Sequence, residues 1–269
     1  MTELEVIKRS ADFIRSKIKT DTADIAIILG TGLGGFAKSI KGIEIPYSDI
    51  PDFPVPSVKS HEGKLIFSEI ADKKVLCFVG RIHYYEGFPM SKVVMPVRIM
   101  KELGVKYLVI TNSAGSLKKE LKPGELIVLT DHINMMGTNP LIGKNISEHG
   151  PKFVDMSEPY DLALIKTLKQ FSPIPLKEGV YVGVSGPSFE TPSEVNFFRQ
   201  IGGDVVGMST VPECIVSNHC GIKTVGISCI SNYTSGVTTQ RLDHNKVIEI
   251  AQKAENDLIS IILNFIGCL

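Results

Sequence analysis

The sequence has no net charge, because Lys+Arg and Asp+Glu each number 29. Without an overall basic field it lacks the electrostatic footprint that holds nucleic acid or an anionic membrane. Any anion must therefore be met by a local cluster. Cysteine is sparse and never falls in C-x-x-C spacing. The five, Cys77, Cys214, Cys220, Cys229 and Cys268, are odd in number and lie mostly in apolar runs, so they read as buried thiols in a reducing compartment. No apolar run reaches the ~18 residues of a membrane span. The opening Met1-Thr-Glu-Leu-Glu-Val has no charged-then-apolar leader pattern. The expectation is a cytoplasmic protein with no nucleic-acid or membrane partner.

What is present fits a globular protein. The 269 residues are 43% apolar and 22% charged, enough for a substantial core. Leu4, Ile7, Ala11, Ile14 and Ile18 recur at helical spacing, predicting an amphipathic first helix. Asp24 to Leu29 is an apolar run ending at Gly30, the pattern of a strand buried on both faces. Residues 45–63 are rich in Pro and Ser and read as a loop. Strands are expected at Lys64–Ser68, Lys74–Val79, Tyr107–Thr111, Glu125–Leu129, Val180–Val184, Asp204–Val206 and Thr224–Ser228. Helices are expected over Ser91–Leu103, near 160–170, from Pro192, near 211–219 and over Asp243–Ile266. Residues 133–158 read as irregular. This alternation predicts an α/β fold: a single domain over residues 1–269, with a mixed, twisted β-sheet flanked by helices. Ligands in such sheets bind in loops beyond the strand ends.

Gly30-Thr-Gly-Leu-Gly-Gly35 matches the dinucleotide pattern G-x-G-x-x-G after a strand. A dinucleotide unit needs a crossover of about a dozen residues. Here only Phe36 to Ile40 can be helical before the chain enters the Pro-rich loop, so the oxidoreductase reading is disfavoured. Glycines also let a backbone approach a lone phosphate, and Thr31 adds a hydroxyl. In Gly80-Arg-Ile-His-Tyr-Tyr-Glu-Gly87, Arg81 and His83 are two apart, on one side of an extended chain. Arg offers a planar fork to phosphate oxygens. His can donate from one ring nitrogen while a carboxylate such as Glu86 holds the other. The plain alternative is a solvated Arg and a surface His. His61, in the Pro-rich loop, is either a loop residue that closes on an anion or an exposed one.

Four further segments narrow the reading: Thr111-Asn-Ser-Ala-Gly-Ser116, Gly186-Pro-Ser-Phe-Glu-Thr-Pro192, Val206-Gly-Met-Ser-Thr-Val-Pro-Glu213 and Ser228-Cys-Ile-Ser-Asn232. With the glycine loop and Gly80–Gly87, in this order, the chain resembles the purine nucleoside phosphorylases of the trimeric class from about residue 24 to residue 250. The resemblance implies phosphorolysis of inosine, guanosine and their 2′-deoxy forms. Inorganic phosphate is then a co-substrate, and no cofactor or metal is needed. It implies phosphate ligands at Thr31, Arg81, His83 and Ser209, helped by the Ser113 backbone, with His61 as a further candidate. It implies a ribose pocket at Tyr85, Met208 and His244, and a base pocket at Phe189, Glu190, Val206 and Asn232. The catalytic groups are then Glu190, Asn232 and His83. Phe153 resembles an aromatic lent by a neighbouring subunit, which implies a homotrimer. Relatives often have Ser at Thr31 and Ala at Ser113.

Met208, Phe189 and Val206 are also ordinary packing residues, and Glu190 stands where it could simply begin the helix from Pro192. His132, after Asp131, has no second metal ligand at useful spacing and reads as structural. The related methylthioadenosine phosphorylases carry Asp where this chain has Asn232. An amide both donates and accepts, which suits a 6-oxopurine. Methylthioadenosine- and xanthosine-preferring phosphorylases are the alternatives kept open. A nucleoside- or phosphate-binding module without turnover is the reading from another class.

Overall fold

The computed structural model describes residues 1–58, 62–238 and 244–269. The chain opens with α1 (Glu3–Ile18), capped by a Thr2/Glu5 capping box, and buries Ile7, Ala11, Ile14 and Ile18. Then come β1 (Ile25–Leu29), α2 (Gly35–Ser39), β2 (Ile43–Pro46), β3 (Lys64–Ile70), β4 (Lys73–Val79), α3 (Met90–Val93), α4 (Met95–Glu102), β5 (Tyr107–Ser116) and β6 (Leu126–Met135). The second half holds α5 (Leu162–Phe171), β7 (Lys177–Val184), α6 (Pro192–Gln200), β8 (Val205–Gly207), α7 (Val211–His219), β9 (Lys223–Tyr233), α8 (His244–Lys253) and α9 (Glu255–Gly267).

The fold is mixed α/β, as expected. Among the described residues nine strands form one sheet in the order β2-β3-β4-β1-β5-β8-β7-β6-β9, and β9 also pairs with β5. The last five strands therefore close on themselves, a feature that the expectation of a mixed, twisted sheet did not specify. β1 is parallel to β4 and β5, and β5 is parallel to β9, so these four strands point their C-terminal ends the same way. All five residues of β1 are buried, in keeping with its unbroken apolar run.

Several boundaries differ from the sequence expectation. The helix over 91–103 is interrupted at Val94, because Pro96 in the first turn of α4 has no N–H to give to a preceding turn. It ends at Leu103 with Gly104 in a left-handed turn: Gly104 N–H donates to the Lys101 carbonyl and Val105 N–H to that of Met100. The helix expected to close the chain is split at Ala254. α9 thus begins at Glu255, whose carboxylate accepts from the Gly35 backbone N–H at the start of α2. β2 lies at the border of the segment read as a loop; it is short, and only Ile45 in it is buried. β5, β6 and β9 run five or six residues further than expected, into polar sequence.

Candidate active site

The parallel strands deliver the site. Gly30 follows β1 and packs so closely on β5 that an added Cβ would lie 2.7 Å from the Asn112 Cα. Only glycine allows that approach. Arg81 and His83 follow β4, and Ser113 and Gly115 lie on the far end of β5. On β9 the pairing with β5 skips from Ala114↔Ile230 to Gly115↔Asn232, leaving Ser231 as a bulge. A bulge re-aims the side chains after it. Asn232 thereby lines the same cleft as Thr31, Arg81, His83, Tyr85, Ser113, Phe189, Glu190, Val206, Met208 and Ser209.

One end of the cleft carries two buried basic side chains held by hydrogen bonds. Arg81 is 3% exposed. Its Nε donates to Glu213 Oε1 at 2.6 Å, and its Nη1 donates to the Thr111 carbonyl at 2.9 Å and to Ser209 Oγ at 3.2 Å. His83 is also buried and stacks on the Tyr85 ring. Its Nδ1 lies 3.2 Å from Glu86 Oε1, and its backbone N–H donates to the same oxygen at 2.8 Å. Glu86 Oε2 accepts from the backbone and hydroxyl of Ser57. Against its own burial, these bonds hold the Glu86 carboxyl down at about 2. A carboxylate so held only accepts, so the proton sits on His83 Nδ1. Burial, more than any charge, pushes the His83 pKa below its ordinary value. Neither Arg81 nor His83 is the solvated surface residue of the plain alternative.

Ser209 is fixed from two sides. Its N–H donates to Tyr181 Oη at 3.2 Å, and its carbonyl accepts from Val211 N–H at 2.7 Å across Thr210. Thr210 has φ 71° and ψ −50°, the strained centre of a γ-turn. Asn112 clamps it, donating from Nδ2 to Thr210 Oγ1 at 2.9 Å while accepting from Ser228 Oγ at 2.8 Å. The Ser113 hydroxyl donates to the Thr31 carbonyl at 2.7 Å, tying the glycine loop to β5.

The other end is an amide–carboxylate pair. Asn232 Oδ1 accepts from Ser231 Oγ at 2.8 Å, and its Nδ2 donates to the Tyr233 carbonyl at 3.1 Å. Glu190 is 9% exposed, and desolvation raises its pKa above the usual carboxylate range. It does not start α6: Thr191 is the cap, in a capping box with Glu194. Phe189 is 41% exposed on the cleft wall, so it is not core filler.

A family model described as the phosphorylase superfamily matches residues 24–267. The chain is 45% identical over 260 residues to purine nucleoside phosphorylase 1 of Bacillus subtilis (strain 168), covering 95% of this chain and 96% of that one. It is 47% identical over 257 residues to purine nucleoside phosphorylase 1 of Geobacillus stearothermophilus, covering 94% and 93%. The chain belongs to the phosphorylase superfamily. A solved structure of a Schistosoma purine nucleoside phosphorylase in complex with hypoxanthine shares its fold at a TM-score of 0.93 and 36% identity, covering 98% of this chain and 97% of that one.

For a phosphorylase-superfamily chain, not every expected site residue lies in the cleft. Phe153 lies outside it, 89% exposed on a separate groove with His132, Leu141, Ile142 and Met156. His61 is outside the described residues, and of His244 only its place at the start of α8 is described. His132 packs edge-on against Tyr160, and no cluster of three metal-ligating side chains occurs among the described residues. No described helix is long and apolar enough to cross a membrane. Gly115, Gly207, Ser231 and Val247 also line the cleft. Val247 stands one helical turn after His244, a spacing that was readable. Glu213 was the lone carboxylate among the apolar residues of α7, and Tyr181 sat in a strand with nothing to mark it.

Proposed function

We propose that the protein is a purine nucleoside phosphorylase that cleaves inosine, guanosine and their 2′-deoxy forms with inorganic phosphate. The observation that carries this reading is one cleft joining a buried basic end, Arg81 and His83, to an amide–carboxylate end, Asn232 and Glu190. Phosphate is held by Arg81, His83, Ser209, Thr31 and the Ser113 backbone, with His61 as a further ligand. Ribose lies against Tyr85, Met208 and His244, and the purine against Phe189, Val206, Glu190 and Asn232.

Hydrogen phosphate attacks C1′ as the C1′–N9 bond breaks. The bonding pair leaves with the purine, and the proton of the hydrogen phosphate ends on the departing base. Asn232 donates to N7 and O6, where negative charge develops, and Glu190 accepts from N1–H. Arg81, Ser209 and His83 hold the phosphate below the sugar, so orientation removes part of the barrier. The subunit assembles as a homotrimer in the cytoplasm, and Phe153 completes the ribose site of a neighbour. Its high exposure here supports that role.

The test is base release from inosine and adenosine, with and without phosphate. The expected result is phosphate-dependent hypoxanthine with little adenine, and a shift toward adenosine in Asn232→Asp. Release without phosphate means a hydrolase. An unchanged inosine-to-adenosine ratio of kcat/KM in the variant removes Asn232 as the selector.

A further inference from the structure

We infer that Glu213 is a positioning residue for the phosphate subsite, acting through Arg81. This rests on the phosphate-binding reading above. Glu213 lies in the first turn of α7, where a carboxylate is favoured by the helix dipole, yet it does not fold back to cap that helix. It reaches Arg81 at the end of β4, 132 residues away in sequence. Its side chain is 3% exposed and that of Arg81 is 2% exposed. Oε1 takes the Arg81 Nε–H, and Oε2 has no hydrogen-bond partner among the described residues.

Burying such a pair costs desolvation that its attraction repays only in part, so fold stability alone is a weak reason for it. Its geometric effect is specific. A guanidinium is a planar fork whose orientation is fixed when its edges are tied. Here Nε is tied to a carboxylate, the stronger charge-assisted kind of bond, and Nη1 to Thr111 and Ser209. Without the carboxylate the Nε edge loses its charge-assisted tie, and the guanidinium plane is held less firmly in the orientation that faces the cleft. Glu213 also offsets the Arg81 charge. Phosphate is then held by aligned donors, not by an excess cation that would grip the phosphate of the sugar product equally.

The experiment compares wild type, Glu213→Gln and Glu213→Asp by steady-state kinetics and by calorimetric titration with inorganic phosphate alone. In Glu213→Gln the KM and Kd for phosphate are expected to rise roughly ten- to hundredfold, the loss typical of a misplaced binding group. The KM for inosine should stay within about twofold, because the base and ribose contacts are untouched. Glu213→Asp, which keeps the charge on a shorter stem, should recover part of the phosphate affinity. A merely structural pair gives lower thermal stability with both KM values unchanged, or both raised together, and either result overturns the inference. Titration separates this from the reaction assignment. A wild type that binds phosphate without turning over inosine, with Glu213→Gln binding it more weakly, sinks the reaction and keeps the inference. Equal phosphate affinity in both proteins, or none in either, overturns the inference.

Discussion

Two carboxylates of the site, Glu86 and Glu190, have pKa values shifted in opposite directions because their surroundings differ. Glu86 accepts hydrogen bonds from His83 and Ser57, which favour its charged form and hold it at about 2 against an ordinary 4.5. A depressed folded pKa stabilises the fold above the unfolded value, and that contribution is lost as pH falls from 4.5 toward about 2. Glu86→Gln should therefore lower Tm at neutral pH, and the gap to wild type should close as the pH is taken down through that window. A gap constant with pH would mean the carboxylate charge is not what matters. Glu190 has no such set of donors, and burial raises its pKa. Its charge opposes folding at neutral pH and is relieved in acid, the signature of a group kept for binding. Because the ionised carboxylate accepts more strongly from N1–H than the neutral acid does, the KM for inosine should rise as pH falls through its raised pKa, and Glu190→Gln should lose that acid limb.

At the level of elements, the glycine loop and the closing helices are one assembly. Gly32 has φ 75°, and an added Cβ would lie 2.8 Å from the Ala251 Cβ and 3.2 Å from the Ile248 carbonyl of α8. Gly32→Ala forces both a strained backbone and a displacement of α8. The expected cost is about 1–3 kcal/mol in denaturant unfolding, with a raised KM for inosine because Val247 moves with the helix. Wild-type stability with unchanged kinetics would show that α8 is not seated on the loop. The same elements explain what was legible in the sequence. β1 was read from its apolar run, and α1 from its period. The far ends of β5, β6 and β9 were missed because Asn112–Ser116, Thr130–Met135 and Cys229–Tyr233 are largely polar or small there. They continue as strands through backbone pairing that leaves no apolar signature. Most residues that line the cleft stand in motifs legible in the sequence; the Ser231 bulge and the Thr210 γ-turn were not legible, since both depend on contacts across more than 80 residues of chain.

For the whole molecule, the segment carrying Phe153 is irregular but anchored. Arg98, buried in α4, donates from Nη1 to His219 Nδ1 at 2.8 Å and to His149 Nδ1 at 3.4 Å. Arginine only donates, so both rings carry their proton on Nε2, given to Asn145 Oδ1 by His219 and to Glu102 Oε1 by His149. Asn145 and His149 thus fasten the loop to α4 and α7, while Ile142 and Phe153 remain 76% and 89% exposed. Phe153→Ala should raise the KM for inosine severalfold while leaving that for phosphate unchanged, with the assembly state followed by sedimentation. An unchanged inosine KM would remove Phe153 from any neighbour's ribose site.

The closure of β9 onto β5 has a consequence for how folded copies meet. Among the described residues the sheet order then ends at β2, which is four residues long, carries Glu44 and ends in Pro46. Proline gives no N–H to a ladder, and a short charged margin offers little to extend. Growth by strand addition therefore has little to build on at β2 in the native form. Recognition of another protein at this margin is left to side chains, which can specify a partner where a bare backbone cannot.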